Sequence, residues 1–253
     1  MPASADSSAS AAAFAERDGL LWIAFGERYV SEAEHSARSA AAAAPMLARA
    51  LLADREPATG VFDVVRRIEP GHIRAKVDFL AESPFARTLY LDSDTRVVGE
   101  LADVFELLAR CDVALAHDFA RKRQRFAREI PAYAAIPYAF PEMNGGVLLY
   151  SRASAAIQFL ERWRELFHQW KHVTQGWDQA TLRIALWQCD LRLCTLPPEY
   201  NVRSAAVRAR MAKLARSGAE PALLEPRILH WHGLDRKPRF WSRLSPKYRP
   251  YRY

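Results

Sequence analysis

The chain has no stretch apolar enough to span a bilayer. Charged residues break every window short of the roughly 20 uninterrupted apolar residues such a helix needs, even in the alanine run near residue 40. Cysteine is scarce: Cys111, Cys189 and Cys194 are odd in number and show no CxxC spacing. That excludes a disulfide framework and a zinc ribbon, and suits a reducing compartment. A secretion signal is missing, because residues 1–18, rich in Ala and Ser, have neither a basic start nor a sustained apolar run. They read as a flexible tail. No repeat at solenoid spacing is found either. The expectation is a cytoplasmic protein, soluble or peripheral on the inner face of a membrane.

What is present is enough for one core. Half of the 253 residues are hydrophobic, which supports a single domain over 19–235 rather than two equal halves. The formal charge of +7 is unevenly spread. Residues 236–253, RKPRFWSRLSPKYRPYRY, hold seven Lys or Arg, five aromatics and no acid, so the body of the chain is near neutral.

The patterning predicts strands at GLLWIAF (19–25), ALLAD, VFDVV, RTLYL, CDVALAH (111–117), GGVLLY (145–150), RLCTL and RILHW. Helices are expected from a capping box at Ser31 and Glu34 through the alanines to Pro45, over 72–82, over ELADVFELLAR, and over 153–171 and 177–188. The ALLAD stretch could also prolong the first helix. The basic segment from Arg121 to Pro141 shows no periodicity and reads as a mobile loop. Strands alternating with helices argue α/β.

The chemistry concentrates where RTLYL runs into Asp92, Ser93 and Asp94. On extended backbone, residues i and i+2 face one side, so Asp92 and Asp94 would offer hard oxygens to one point, with Ser93 facing away. Two adjacent anions raise each other's pKa unless a cation holds both ionised, and Mn2+ or Mg2+ suits such oxygens. Against this stands an ordinary cap of the following turn or helix. A haloacid-dehalogenase-type phosphatase also ends a strand in DxDx[TV], but there on the first strand, and here the fifth position is Arg96.

The blocks KVDFLAESPFARTLYLDSDTRV, MNGGVLLY, GWDQATL, LPPEYN and HWHGLDRKP, in this order over roughly residues 20–240, resemble the GT-A fold glycosyltransferases. The likeness is greatest to the family-eight type and its bacterial nucleotide-diphospho-sugar transferase relatives. It implies a Rossmann-like, mixed but mainly parallel sheet flanked by helices, and transfer of a sugar from a UDP-sugar to an acceptor hydroxyl.

The resemblance makes Asp92 and Asp94 the metal motif for Mn2+ or Mg2+, with Asp94 the stronger ligand and Asp92 also near the donor ribose. His230 is the third ligand, and His232 its runner-up. Ser93, Gly233 and Lys237 fall among the donor contacts, and Lys76 matches a basic position that reaches the donor. Ala24, Phe25 and Tyr29 lie where open α/β sheets bind a nucleotide base. Asn144, Gly145 and Gly146 resemble the block beside the sugar. Asp178 and Gln179 resemble the Asp-Gln pair near the anomeric carbon, but Ala180 replaces a second Asp, which leaves retention or inversion open.

The partners so implied are a nucleotide-sugar donor and a glycan or lipid-linked acceptor. The basic aromatic tail 236–253 suits loose contact with anionic headgroups. Arg121, Lys122, Arg123, Arg125 and Arg128 could bind phosphate, but no nucleic-acid recognition motif accompanies them, and nucleic acid is not the expected partner. The rival to an enzyme is a non-catalytic sugar-nucleotide or nucleic-acid binding protein on the same scaffold.

Overall fold

The structure is a computed structural model and describes residues 14–69, 71–72, 74–118, 124–203, 213, 217 and 225–230. Gly233, Lys237, His232, Arg121 to Arg123, the tail 236–253 and residues 1–13 of the N-terminal tail lie outside that set.

β1 (Asp18–Ala24) leads into α1 (Glu27–Ala43), then β2 (Ala48–Ala53) and β3 (Val64–Arg67). A short α2 (Lys76–Phe79) precedes β4 (Arg87–Leu91) and β5 (Thr95–Val97). After β6 (Val113–His117) come α3 (Gln124–Glu129), α4 (Pro131–Ala134) and β7 (Met143–Ser151). The chain continues through α5 (Ser154–Trp170), α6 (Gln179–Gln188), β8 (Leu193–Thr195) and β9 (Ile228–His230).

Seven strands form the main sheet in the order β3-β2-β1-β4-β7-β6-β8. Only β7 runs against its neighbours, pairing antiparallel with β4 and β6 while the other pairs are parallel. The expected mixed, mainly parallel sheet flanked by helices is what the chain forms. Alternation along the strands loads both faces: Leu21, Ile23, Tyr90, Leu148 and Tyr150 pack beneath α5 and α6. Leu20, Trp22, Leu89, Leu91, Val147 and Leu149 pack on the other side with α1. Each fully buried Leu of this kind contributes about 1.5–3 kcal/mol, and a sheet covered on both faces reads as near-continuous apolar runs, as these strands do.

Several local expectations are corrected. α1 starts at Glu27, so Ser31 lies inside the helix and caps nothing. The start is set instead by Gly26, whose φ of 80° favours glycine, and whose N–H donates to Asp54 Oδ1 at 3.0 Å. Glu34 is buried and accepts from the Thr59 N–H and hydroxyl. The helix expected over 72–82 is one α turn followed by a 3-10 turn at Leu80–Glu82, and ELADVFELLAR is 3-10 over Ala102–Ala109. The supposed loop 121–141 contains α3 and α4. RILHW leaves the main sheet: β9 pairs antiparallel with β5 in a separate two-stranded sheet.

Candidate functional site

The sheet order puts β1 between β2 and β4, the point where connections diverge and a crevice opens at the carboxyl ends of parallel strands. Ala24, Asp54 and Asp92 follow or close the ends of those three strands. β4 stops at Leu91, and Asp92 to Asp94 form a turn, closed by the Thr95 N–H and hydroxyl on the Asp92 carbonyl at 3.2 and 2.8 Å. The extended geometry expected for the two aspartates is therefore replaced by a turn, and tertiary pairing makes them converge.

Two registers do this. Leu91 pairs with Val147, so the Asp92 N–H donates to the Gly146 carbonyl at 2.8 Å. Thr95 pairs with His230, which brings Asp94 beside that imidazole. His230 Nε2 then lies 3.3 Å from Asp94 Oδ1 and 3.6 Å from Asp92 Oδ2. One ligand atom from each of the three side chains falls within 4.8 Å of the others. Gly146 makes the arrangement sterically feasible: a Cβ there would overlap His230 Cε1 and lie 2.6 Å from Asp92 Oδ2.

The buried His230 ring is held by a chain of amides. Its Nδ1 is 2.8 Å from Asn201 Oδ1, and the Asn201 amide nitrogen donates to Asn144 Oδ1 at 2.9 Å. Asn144 Oδ1 also accepts from the Gly146 N–H, while its own nitrogen reaches Asp118 Oδ2 at 3.4 Å. With Nδ1 donating to Asn201, Nε2 is the nitrogen left to face the carboxylates. A neutral ring presents a lone pair there, the form that ligates a cation, and such outer partners commonly fix a ligating histidine. Two carboxylates and an oriented imidazole fit Mn2+ or Mg2+.

On the other side of Asp92 stands Lys76, which is buried rather than a solvated helix-face residue. Its ammonium donates to Asp92 Oδ1 at 2.9 Å and to the Gly145 carbonyl at 3.1 Å, and lies 3.3 Å from Asp178 Oδ2. Tyr90, two residues before Asp92 and on the same strand face, donates its hydroxyl to Oδ1 at 2.6 Å. Burial pushes the Asp92 carboxyl up, but Lys76, His230 and Tyr90 outweigh it, and the group is held well below the usual carboxylate range. Burial likewise pulls Lys76 down, and Asp178 and Asp92 more than restore it. For Tyr90, burial and the adjacent Asp92 both push the phenol well up, so it stays a donor.

Asp178 occupies the N-cap position of α6, yet its side chain makes no cap hydrogen bond. Its carboxylate turns to Lys76 instead, which separates it from an ordinary helix cap. Gln179 is buried and donates its amide to the Met143 carbonyl at 2.6 Å. Gly145 is tight against Trp163 and Leu182, so its lack of a side chain serves packing under α5 and α6 as well as the carbonyl on Lys76.

Asn144 is buried with its side chain engaged in the amide chain. Ala24 is buried at the β1 end, Phe25 leans on Phe79 with centroids 6.2 Å apart, and Tyr29 is exposed under the Arg28 guanidinium. Ser93 lies in the turn between the aspartates. The structure thus gathers Lys76, Asp92, Asp94, Gly145, Asp178 and His230 into one cluster, and shows Tyr90 and Asn201 as members that the sequence reading missed. Tyr90 could have been found from the i, i+2 rule; Asn201 closes the LPPEYN block but has no local signal of its own.

Among described residues the fold class is that of the GT-A glycosyltransferases. The solved structures it is similar to include the glycosyltransferase GlyE of Streptococcus pneumoniae TIGR4, with a TM-score of 0.57 and 19% identity over 85% of this chain. They also include the galactosyltransferase LgtC in complex with donor and acceptor sugar analogs (TM-score 0.55, 18% identity, 86% of this chain and 87% of that one). Mouse xyloside xylosyltransferase 1 matches with a TM-score of 0.54 and 11% identity over 86% of this chain and 98% of its own. The chain spans 55% of the GlyE chain. At these identities the likeness is one of fold. No family model matches the chain, and no curated protein matches it in sequence.

Proposed function

We propose that the chain is a metal-dependent glycosyltransferase of the family-eight type, moving a sugar from a UDP-sugar to an acceptor hydroxyl. The observation that carries this reading is His230, set by Asn201 so that Nε2 faces Asp92 and Asp94 in a GT-A fold. The glycosyltransferase neighbours of the fold support it.

In this reading Asp92, Asp94 and His230 hold Mn2+ or Mg2+, which when bound neutralises charge on a departing diphosphate. Lys76 keeps Asp92 ionised for that task and positions Asp178 by the shared ammonium. Asp178, whose Oδ2 is buried and makes no hydrogen bond, orients a sugar hydroxyl or acts as a base beside the anomeric carbon, with Gln179 next to it. Gly233 and Lys237 approach the diphosphate, and Ala24, Phe25 and Tyr29 frame the base at the β1 end. A lipid-linked or glycan acceptor would be reached from the membrane surface through residues 236–253. Deleting 240–253 should then lower binding to anionic liposomes.

Calorimetric titration with UDP, with and without Mn2+, tests the core of the proposal. Metal-dependent binding that disappears in Asp94→Ala is expected, together with turnover of one member of a UDP-sugar panel. Binding without turnover would point to the non-catalytic sugar-nucleotide protein, and salt-sensitive RNA binding with no UDP heat would reject the reading altogether.

A further inference from the structure

A second cluster of ligating side chains lies where α2 meets α5, separate from the Asp92 site. The same short helix that carries Lys76 to Asp92 carries Asp78 to α5. Asp78 Oδ1 is 2.6 Å from His168 Nε2 in the last turn of α5, and Asp78 Oδ2 is 2.8 Å from His72 Nε2 just before α2. The two imidazoles meet edge to face with centroids 5.2 Å apart, and ligand atoms of all three residues fall within 4.8 Å of one another. Buried Phe167 lies 5.0 Å from the His72 ring, while the His168 side chain is 41% exposed. One side of the cluster is thus apolar and the other open to water.

We propose that His72, Asp78 and His168 form a zinc-class cation site that fastens α2 to α5, with water completing a tetrahedron. Two imidazoles and one carboxylate are a borderline donor set that selects Zn2+ or Co2+ over Mg2+ and Ca2+. Zinc bonds of about 2.0–2.2 Å place tetrahedral ligand atoms about 3.3 Å apart, so the present contacts of 2.6 and 2.8 Å must open by roughly half an ångström. His168, 41% exposed, and the less exposed Asp78 and His72, at 20% and 17%, reach that by small rotations.

A further sign comes from His72: its Nε2 is buried and, despite the short approach to Asp78, makes no aligned hydrogen bond. His72 Nδ1 accepts the Arg74 N–H at 3.2 Å, and His168 Nδ1 lies 3.3 Å from Lys171 Nζ. Both rings therefore hold their proton on Nε2. To bind a cation, each ring would carry its proton on Nδ1 and give the Nε2 lone pair to the ion. Exposed Lys171 turns away and the Arg74 contact is lost, which makes the site weaker than one built with acceptors behind both rings.

The consequence concerns the neighbouring cluster. A one-turn helix does not hold itself, and α2 sets where Lys76 stands. A cation between His72, Asp78 and His168 ties that turn to a 17-residue helix.

The test is metal loading of the full chain after chelator treatment. Co2+ should give the visible ligand-field bands of a four-coordinate ion, displaced by Zn2+, and zinc should raise the melting temperature. His168→Ala, at an exposed position, and Asp78→Asn should each lower zinc affinity by about 100-fold or more. Asp94→Asn should leave it unchanged, which separates this site from the one proposed for sugar transfer. The inference is overturned if His168→Ala binds zinc as tightly as the parent, or if zinc uptake is lost in Asp94→Asn instead. Circular-dichroism melts without metal show that each variant is folded, so a loss of binding reports the ligand and not the fold.

Discussion

At the scale of single residues, the decisive group is the ammonium of Lys76, shared by Asp92, Asp178 and the Gly145 carbonyl. Replacing it by Met leaves buried Asp178 and part-buried Asp92 without that counter-charge, and removing one partner of a buried ion pair costs up to roughly 3–5 kcal/mol. The pH dependence has a definite sign. The Asp92 carboxyl is held below its ordinary 3.8, so its contribution is present above that pH and is lost as pH falls through the folded value. Lys76 is held above its ordinary 10.5, so its contribution is present below that pH and is lost as pH rises through the folded value. Denaturant unfolding of parent and Lys76→Met should therefore differ by a constant amount between these two limits, and the gap should narrow outside both. A gap that changes across neutral pH would show that another group dominates. The family resemblance made Lys76 a candidate, but whether it was solvated or buried depended on α2 turning toward β4.

Among the elements, the segment that looked structureless is held by one arginine. Arg183 of α6 is buried and donates to the carbonyls of Tyr133, Pro137 and Phe140, with its guanidinium 4.6 Å from the Tyr133 ring centroid. The stretch before β7 does bury an apolar stripe, Phe126, Ile130, Tyr133 and Ile136 at helical spacing, which the surrounding arginines masked in the sequence, and Arg183 and the Tyr133 hydroxyl on buried Glu142 add polar anchors to it. Arg183→Met leaves the Phe140 carbonyl without a donor, while the Tyr133 and Pro137 carbonyls keep the Ile136 and Phe140 N–H groups, at a cost of about 1–3 kcal/mol. Hydrogen exchange across 131–140 should quicken more than exchange in the β1 and β4 pair. Equal acceleration in both regions would mean that Arg183 supports the whole core and not this segment. The helices α1 and α5 were legible within a few residues since each buries a periodic apolar face, and α6 was legible although Gln179 to Leu186 are buried on every side and not along one amphipathic stripe, whereas the one-turn α2 and the 3-10 turn at Ala102–Ala109 show how weakly short amphipathic segments distinguish helix types.

For the molecule as a whole, the candidate metal ligands join two sheets: Asp92 follows β4 of the large one, while Asp94 directly precedes β5 and His230 ends β9 of the small pair. On the proposed function, a ligand that bridges them stabilises the folded chain. UDP with Mn2+ at 100 times Kd adds about 2.7 kcal/mol, which for a domain of this size raises Tm by roughly 5 to 10 °C. Thermal melts should show that shift in the parent, its reversal by EDTA, and none in Asp94→Ala. A shift that survives EDTA would place the nucleotide away from these three residues.

The sequence by itself determined the class of fold, since the buried parallel strands and the long amphipathic helices are encoded in local hydrophobic periodicity. It also offered Asp92 and Asp94, as carboxylates closing an apolar strand, while Asp178 and His230 were marked by the resemblance of their blocks to the GT-A glycosyltransferases. Only the tertiary structure decided that these groups meet. The β4–β7 register, the β5–β9 pairing, the Asn201 to His230 hydrogen bond and the space left by Gly146 all join residues far apart in the chain. Such contacts follow from how strands align in a sheet, a property that no local window of sequence contains.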